Sequence, residues 1–584
     1  MSHLSRPCLT LLTVAMLAAC SSAPSPQALA PAPPEAARAD RLQVQAGKTA
    51  NEAAHPSATT ERRMRTYTPS AAPAPAPPPP PAPPAAIAAY PAPAAIAPPP
   101  PPPSVNTERY ARHEDNPVRR TAEQPLSTFS IDVDTGSYAN MRRMVSHGQR
   151  PPADAVRAEE FINYFDYHHR APATRDTPFR VTTELAPAPW NNQRQLLMIG
   201  IKGYELPRRD LPPSNLVFLL DTSGSMGAQD KLPLLKRALA MLVPQLRAQD
   251  RVSIVVYAGS AGLVLPPTAG DQHDKILAAL DQLEAGGSTN GGAGIGLAYA
   301  VARQGFIKDG SNRVILATDG DFNVGTVSQD ALETLVGDGR AAGIALTTLG
   351  LGQGNYNDAL AERLADVGDG NHAYIDSDQE ARKVLVQQMQ GTLLTIARDV
   401  KIQVEFNPAA VAEYRLIGYE NRALRREDFA NDKVDAGDIG AGHEVTALYE
   451  LTPTGSQAAR LQALRYGPKS IAGGDAREVA QLRLRYKRPG QQTSALIETP
   501  ILADALRRQP SESARFASAV AGYADLLRGG SRFDGWRWEQ VLATARGARG
   551  EDRDGRRAEF VGLIEQARGL IEPAHGAVAL APPR

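Results

Sequence analysis

The sequence predicts an α/β protein built around a doubly wound, mostly parallel sheet. An α/β extension precedes that sheet, and a β-sandwich-like module and a helical segment follow it. Three observations carry this. Between 213 and 396, continuous apolar runs alternate with amphipathic stretches, the pattern of parallel strands covered by helices on both faces. After Asp399, strand-like runs follow one another with no long helix between them. From Ser511 onward the apolar spacing is helical, with Phe516, Val520, Tyr523 and Leu527 on one face.

The elements follow in chain order. Arg6 and the apolar run 9–19 have the make-up of a secretory signal peptide, too short to span a bilayer. The run ends Leu17-Ala18-Ala19-Cys20. Small residues before a cysteine resemble the lipobox of bacterial lipoproteins. That resemblance implies removal of 1–19, lipid on the Cys20 thiol and, with Ser21 rather than Asp next, an outer-membrane anchor facing the periplasm. Cys8, the only other cysteine, lies in the removed part, so no disulfide is expected. Residues 20–125 read as a disordered tether rich in Pro and Ala. The stretch 68–103 favours polyproline II and reaches on the order of 100 Å at ~3.1 Å per residue.

Order is expected from about 126. The run 128–134 alternates like a half-buried strand, 138–147 and 157–167 look helical, and 179–185 and 196–201 look like strands. Together, 126–210 reads as a small α/β extension packed beside the next domain. Within 213–396, strands are expected at 216–220, 252–257, 313–318, 344–349 and 372–375. Helices are expected at 232–247, 274–283, 293–304, 329–342, 358–367 and 379–397. The β-rich module covers 397–500, with strands at 400–406, 414–417, 444–450 and 478–486. The helical segment covers 501–584.

The chemistry concentrates at strand ends. In an open parallel sheet, ligands bind beyond the carboxyl ends of the strands where the strand order reverses. Asp221 ends one apolar run, and Ser223 and Ser225 follow on a loop that Gly224 lets bend. A second run ends in Asp319, and the loop Gly286-Gly287-Ser288-Thr289-Asn290 offers a hydroxyl. Carboxylates and hydroxyls are hard oxygen donors suited to Mg²⁺.

This set resembles the von Willebrand factor type A domain, which is Rossmann-like. Asp221, Ser223 and Ser225 match its D-x-S-x-S motif, Thr289 its lone threonine and Asp319 its distal aspartate. The resemblance implies a metal-ion-dependent adhesion site holding Mg²⁺, or Mn²⁺ in vitro. The hydroxyls ligate directly or through water, and one position stays open for a partner's Asp or Glu. The chain also resembles bacterial lipoproteins with this domain at the centre. They carry Ser130-Ile-Asp-Val-Asp-Thr-Gly-Ser-Tyr138 and Glu159-Glu160-Phe161-Ile162-Asn163-Tyr164-Phe165 before it and a β-rich domain after it.

Other chemistries fit less well. Asp134-Thr135-Gly136-Ser137 copies the aspartic-protease tetrad. That reaction needs two such carboxylates, and the chain has one copy, better read as strand, turn and helix cap with Ser137 or Asp134 bonding free N–H groups. Asp132 with Asp134 could face a cation from alternate strand positions. His168 and His169 read as a surface pair. Ser223 as a nucleophile lacks a histidine in matching context, and no Walker-type phosphate loop is present. Lys plus Arg and Asp plus Glu number 63 each, which argues against bulk capture of nucleic acid. The expectation is a lipid-anchored adhesion or scaffolding protein, not an enzyme, that binds a partner protein's acidic residue through the metal. Two alternatives stand beside it: an exported hydrolase using Ser223 or Asp134, and a metal that only staples the fold. The pattern does not fix an oligomeric state.

Overall fold

The strand Ser214–Asp221 lies at the middle of a six-stranded sheet and explains why the sequence pattern works. Every residue of it is buried. Leu216, Phe218 and Leu220 join one apolar cluster, and Val217 and Leu219 join the cluster on the opposite face. The computed structural model describes residues 107–131, 133–320, 328–462 and 477–572. The expected signal peptide 1–19, Cys20, the proline-rich stretch and Asp132 lie outside these.

Across this sheet the strands run His372–Ile375, Ala345–Leu351, Ser311–Thr318, Ser214–Asp221, Arg251–Tyr257 and Ala261–Ala269. All neighbours are parallel except the last pair, which is antiparallel. One face is covered by the helices Leu232–Leu242, His273–Asp281 and Asp378–Arg382 with their apolar side chains, the other by Gly291–Gln304, Gln329–Ala341 and Asp358–Val367. Asn290, Ser328 and Asn357 cap the last three by accepting a hydrogen bond from a first-turn N–H. The strand order reverses at Ser214–Asp221, so Asp221 stands at the switch point.

Beyond Leu393 the chain enters two antiparallel sheets packed over one core. Here the structure differs from the sequence reading. The stretch 126–210 is not a unit of its own. Its strand Asn191–Gly203 pairs on one side with Phe179–Ala188 and on the other with Glu444–Pro453, and Leu126–Ser130 pairs with Thr395–Phe406. Its helices Gly136–Ser146 and Ala158–Asn163 pack with the C-terminal helices Glu512–Arg528, Trp538–Gly547 and Arg556–Ile571 around Tyr138, Phe161, Phe516, Tyr523 and Phe560. The von Willebrand-like sheet is thus inserted into modules made from both flanks of the chain. Among the described residues, no helix is long and apolar enough to cross a membrane.

Two boundaries also differ. The expected helix 379–397 ends early. A π-turn spans Lys383–Gln387, a short helix follows at Met389–Leu393, and Thr395 already begins a strand. Residues 107–125, read as tether, are laid on the fold. Arg119–Arg120 pairs with Val411–Ile417, and the Thr107 and Arg109 N–H groups donate to Gly354 and Tyr356 carbonyls at 2.8 and 3.0 Å. Ion pairs hold this stretch as well, Glu108 with Arg143 at 3.0 Å, their side chains buried, and the half-buried Asp115 with Arg528 at 2.5 Å. Polar contacts of this kind leave no hydrophobic period to read.

Candidate functional site

Asp221 closes its strand fully buried. Its Oδ1 accepts from the Ser223 N–H at 2.8 Å, and Thr318 Oγ1 donates to its Oδ2 at 3.4 Å. Ser223 is buried and Ser225 exposed, with their hydroxyls 3.1 Å apart. The turn Gly224–Gly227 is tied to the neighbouring loop by two backbone bonds, Gly224 N–H to Gly287 C=O at 3.0 Å and Gly286 N–H to Thr222 C=O at 2.8 Å. Thr289 follows two residues past Gly287, half-buried, just before the helix Gly291–Gln304.

Asp319 leaves the adjacent strand Ser311–Thr318 fully buried, and Lys231 Nζ donates to its Oδ2 at 2.8 Å. Gly320 follows at φ +89, where a Cβ would stand 2.3 Å from the Asn357 nitrogen. Of the five residues expected from the sequence, Asp221 closes its strand and Asp319 leaves the adjacent one, Ser223 and Ser225 sit in the turn after Asp221, and Thr289 sits in the loop bonded to that turn. Two residues there escaped the sequence reading, Thr318 and Lys231. Thr318 reads as one more strand residue, and the only trace of Lys231 is its place six residues after Ser225.

The electrostatics suit a cation. Burial pushes the Asp221 carboxyl up to about 6, and the nearby Asp319 charge adds to this against the Ser223 hydroxyl and N–H bonds. Two buried carboxylates with two hydroxyls 3.1 Å apart form a donor set of hard oxygens that fits a small divalent ion. Among the described residues, no cluster of three His, Cys, Asp or Glu side chains is arranged for a metal. The hydroxyl-rich set here is of another kind.

The other motifs fall elsewhere. Asp134 is buried, accepts from the His372 N–H at 2.9 Å and pairs with Arg422 at 3.4 Å. Ser137 Oγ accepts from the Arg157 N–H and donates to Ala155 C=O. Neither caps the helix Gly136–Ser146; the Glu160 carboxylate takes the Ser137 N–H instead. His169 sits between Thr446 at 3.0 Å and Thr182 at 3.2 Å, while His168 is exposed. They do not form a pair on the surface. Among the described residues no histidine hydrogen-bonds Ser223.

The inserted sheet and its loops are those of a von Willebrand factor type A domain, and residues 215–390 match the model of that family. Residues 391–570 match the model described as "Uncharacterized protein YfbK, C-terminal", and 104–198 one described as "von Willebrand factor". The chain belongs to the family of the uncharacterized protein YfbK of Escherichia coli (strain K12). It is 50% identical to that protein over 474 residues, which cover 80% of this chain and 82% of that one. It is also similar to human inter-alpha-trypsin inhibitor heavy chain H3, at 24% identity over 41% of this chain and 28% of that protein. Similarity to the magnesium-chelatase 60 kDa subunit of Cereibacter sphaeroides is 33% over 25% of this chain and 27% of that subunit.

Proposed function

We propose that this protein captures an acidic residue of a partner protein through a divalent cation, Mg²⁺ or Mn²⁺, held by Asp221, Ser223, Ser225, Thr289 and Asp319. The observation that carries the reading is the gathering of two buried carboxylates and a pair of hydroxyls at the switch point of the sheet. When bound, the ion supplies an electrophilic position for a carboxylate. The chain's residues do the rest: the Ser223 N–H and Thr318 hydroxyl orient Asp221, and the two backbone bonds from the Gly286–Gly287 turn hold the loops in register. One metal–carboxylate bond is directional but small, so the surrounding loops set specificity. Adhesion or scaffolding at the cell envelope follows if Cys20 carries lipid and places the protein on the outer membrane, facing the periplasm.

The test is a pull-down from envelope extract with the full-length protein in detergent. Asp221→Ala and Ser223→Ala are expected to fold, by circular dichroism, and to lose the partner, and EDTA is expected to reproduce the loss. Capture that survives both EDTA and Asp221→Ala would sink the proposal. Cys20→Ser is expected to leave the membrane fraction.

A further inference from the structure

Lys231 is a buried cation in an unfavourable place. It stands just before the helix Leu232–Leu242, where free backbone N–H groups repel positive charge. Its stem is wedged beneath Gly352, whose φ is +70 and where a Cβ would lie 2.3 Å from Lys231 Cε and 2.5 Å from Cγ. A lysine taken out of water is costly unless an opposite charge meets it. That charge is Asp319, at 2.8 Å.

We propose that Lys231 sets the net charge of the metal site and thereby its preference for an anionic partner. The inference rests on the metal reading above and adds a residue to it. The side chains of Asp221, Asp319 and Lys231 together carry one negative charge. A divalent ion turns this into one positive charge, and a carboxylate from outside is drawn to it. Without Lys231 the two carboxylates alone would balance the ion. The metal would then be held more tightly and would attract an acid less. Lys231 thus trades metal affinity for electrophilicity. Its fixed stem keeps the ammonium beside Asp319, where a mobile surface lysine would be screened.

The experiment compares full-length wild type, Lys231→Met and Lys231→Arg in detergent. Mn²⁺ binding is read by electron paramagnetic resonance, and capture of poly-L-glutamate at saturating Mn²⁺ by surface plasmon resonance. Removing one charge a few ångströms from the ion is worth about a tenfold change in water-like dielectric. Lys231→Met is therefore expected to bind Mn²⁺ about tenfold more tightly and poly-L-glutamate about tenfold more weakly. Lys231→Arg is expected to keep both values near wild type. Where Lys231→Met does not fold, Lys231→Gln, which retains a donor for Asp319 without the charge, carries the same expectation. A wild type that binds no Mn²⁺ overturns the metal reading and this inference with it. A wild type that binds Mn²⁺ while the neutral variants bind it equally or more weakly overturns the role of Lys231 alone.

Discussion

Arg142 joins three parts of the molecule through one guanidinium, and its removal gives a sharp test of how they are held. From the helix Gly136–Ser146 it donates twice to Asp376, at 2.5 and 2.7 Å, and to Glu380 at 2.8 Å, both next to the inserted sheet. It also reaches Tyr164 at 2.6 Å and Glu559, in the helix Arg556–Ile571, at 3.2 Å. Arg142 is 3% exposed. At an effective dielectric of about 20, one contact near 2.8 Å amounts to about 6 kcal/mol, much of it offset by desolvation of the guanidinium. Arg142→Leu strands Asp376 and weakens the hold on Glu380. The expected loss is about 3–5 kcal/mol in urea unfolding at neutral pH.

The pH dependence sharpens this. Burial alone would raise the Glu380 carboxyl, but Lys383 and Arg142 hold it at about 2 against an ordinary 4.5. A depressed folded value contributes stability that is present above 4.5 and is lost as pH falls toward about 2. The gap between wild type and Arg142→Leu should therefore narrow at about pH 3. The three tryptophans, Trp190, Trp536 and Trp538, all pack in or against the helical cluster. Their fluorescence reads that cluster, while circular dichroism reads the whole chain. In the variant, the two transitions are expected to separate. A loss under about 1 kcal/mol at neutral pH, or a gap unchanged in acid, would refute the argument.

Other expectations follow from single positions. Glu108→Ala leaves Arg143, 6% exposed, without its 3.0 Å partner; a loss of about 3 kcal/mol and faster proteolysis near Thr107 are expected, by urea unfolding and timed trypsin digestion. Gly320→Ala forces a Cβ to within 2.5 Å of Tyr356 Cα at φ +89, with an expected cost above about 2 kcal/mol in thermal melting and weaker Mn²⁺ binding. Burial holds His169 and His443 down at about 4 from 6.5. Their contribution is present above 6.5 and is lost as pH falls through that value toward about 4, so His169→Gln with His443→Gln should flatten the acid limb of a melting-temperature profile.

The inserted sheet was legible because its strands are buried on both faces, so Val217 and Leu219 are as apolar as Phe218 and Leu220. Its edge was not: Ala261–Ala269 holds Pro266 and Pro267, which suit an edge strand but read as a loop. The candidate site was legible in its motif residues, since Asp221 and Asp319 stand at the ends of apolar strands, Ser223 and Ser225 follow within four residues, and Thr289 comes in a glycine-marked loop. Lys231 was not, because its role depends on burial, which no local pattern encodes. The helix expected through 397 failed for a related reason. Leu385, Leu393 and Ala397 keep a helical spacing, yet pairing with Leu126–Ser130 and Glu478–Lys487 draws Thr395–Phe406 into a sheet. Long-range pairing overrode local preference.

The same long-range pairing bears on what the site can do. The chain enters the inserted sheet at Ser214 and leaves it by Leu393, and Pro212 and Leu393 line one small cavity of about 210 Å³ at that end. Asp221 lies at the other end of the strand that Ser214 begins. A second hold grips near the site: Thr107 and Arg109 bond the loop whose Tyr356 backs Gly320, and Gly352, just before that loop, packs on Lys231. The residues that back Asp319 are therefore held from two sides, by apolar packing along the sheet and by the run of contacts from the Gly352–Asn357 loop to Thr107, which has backbone hydrogen bonds and one ion pair with buried side chains at its base.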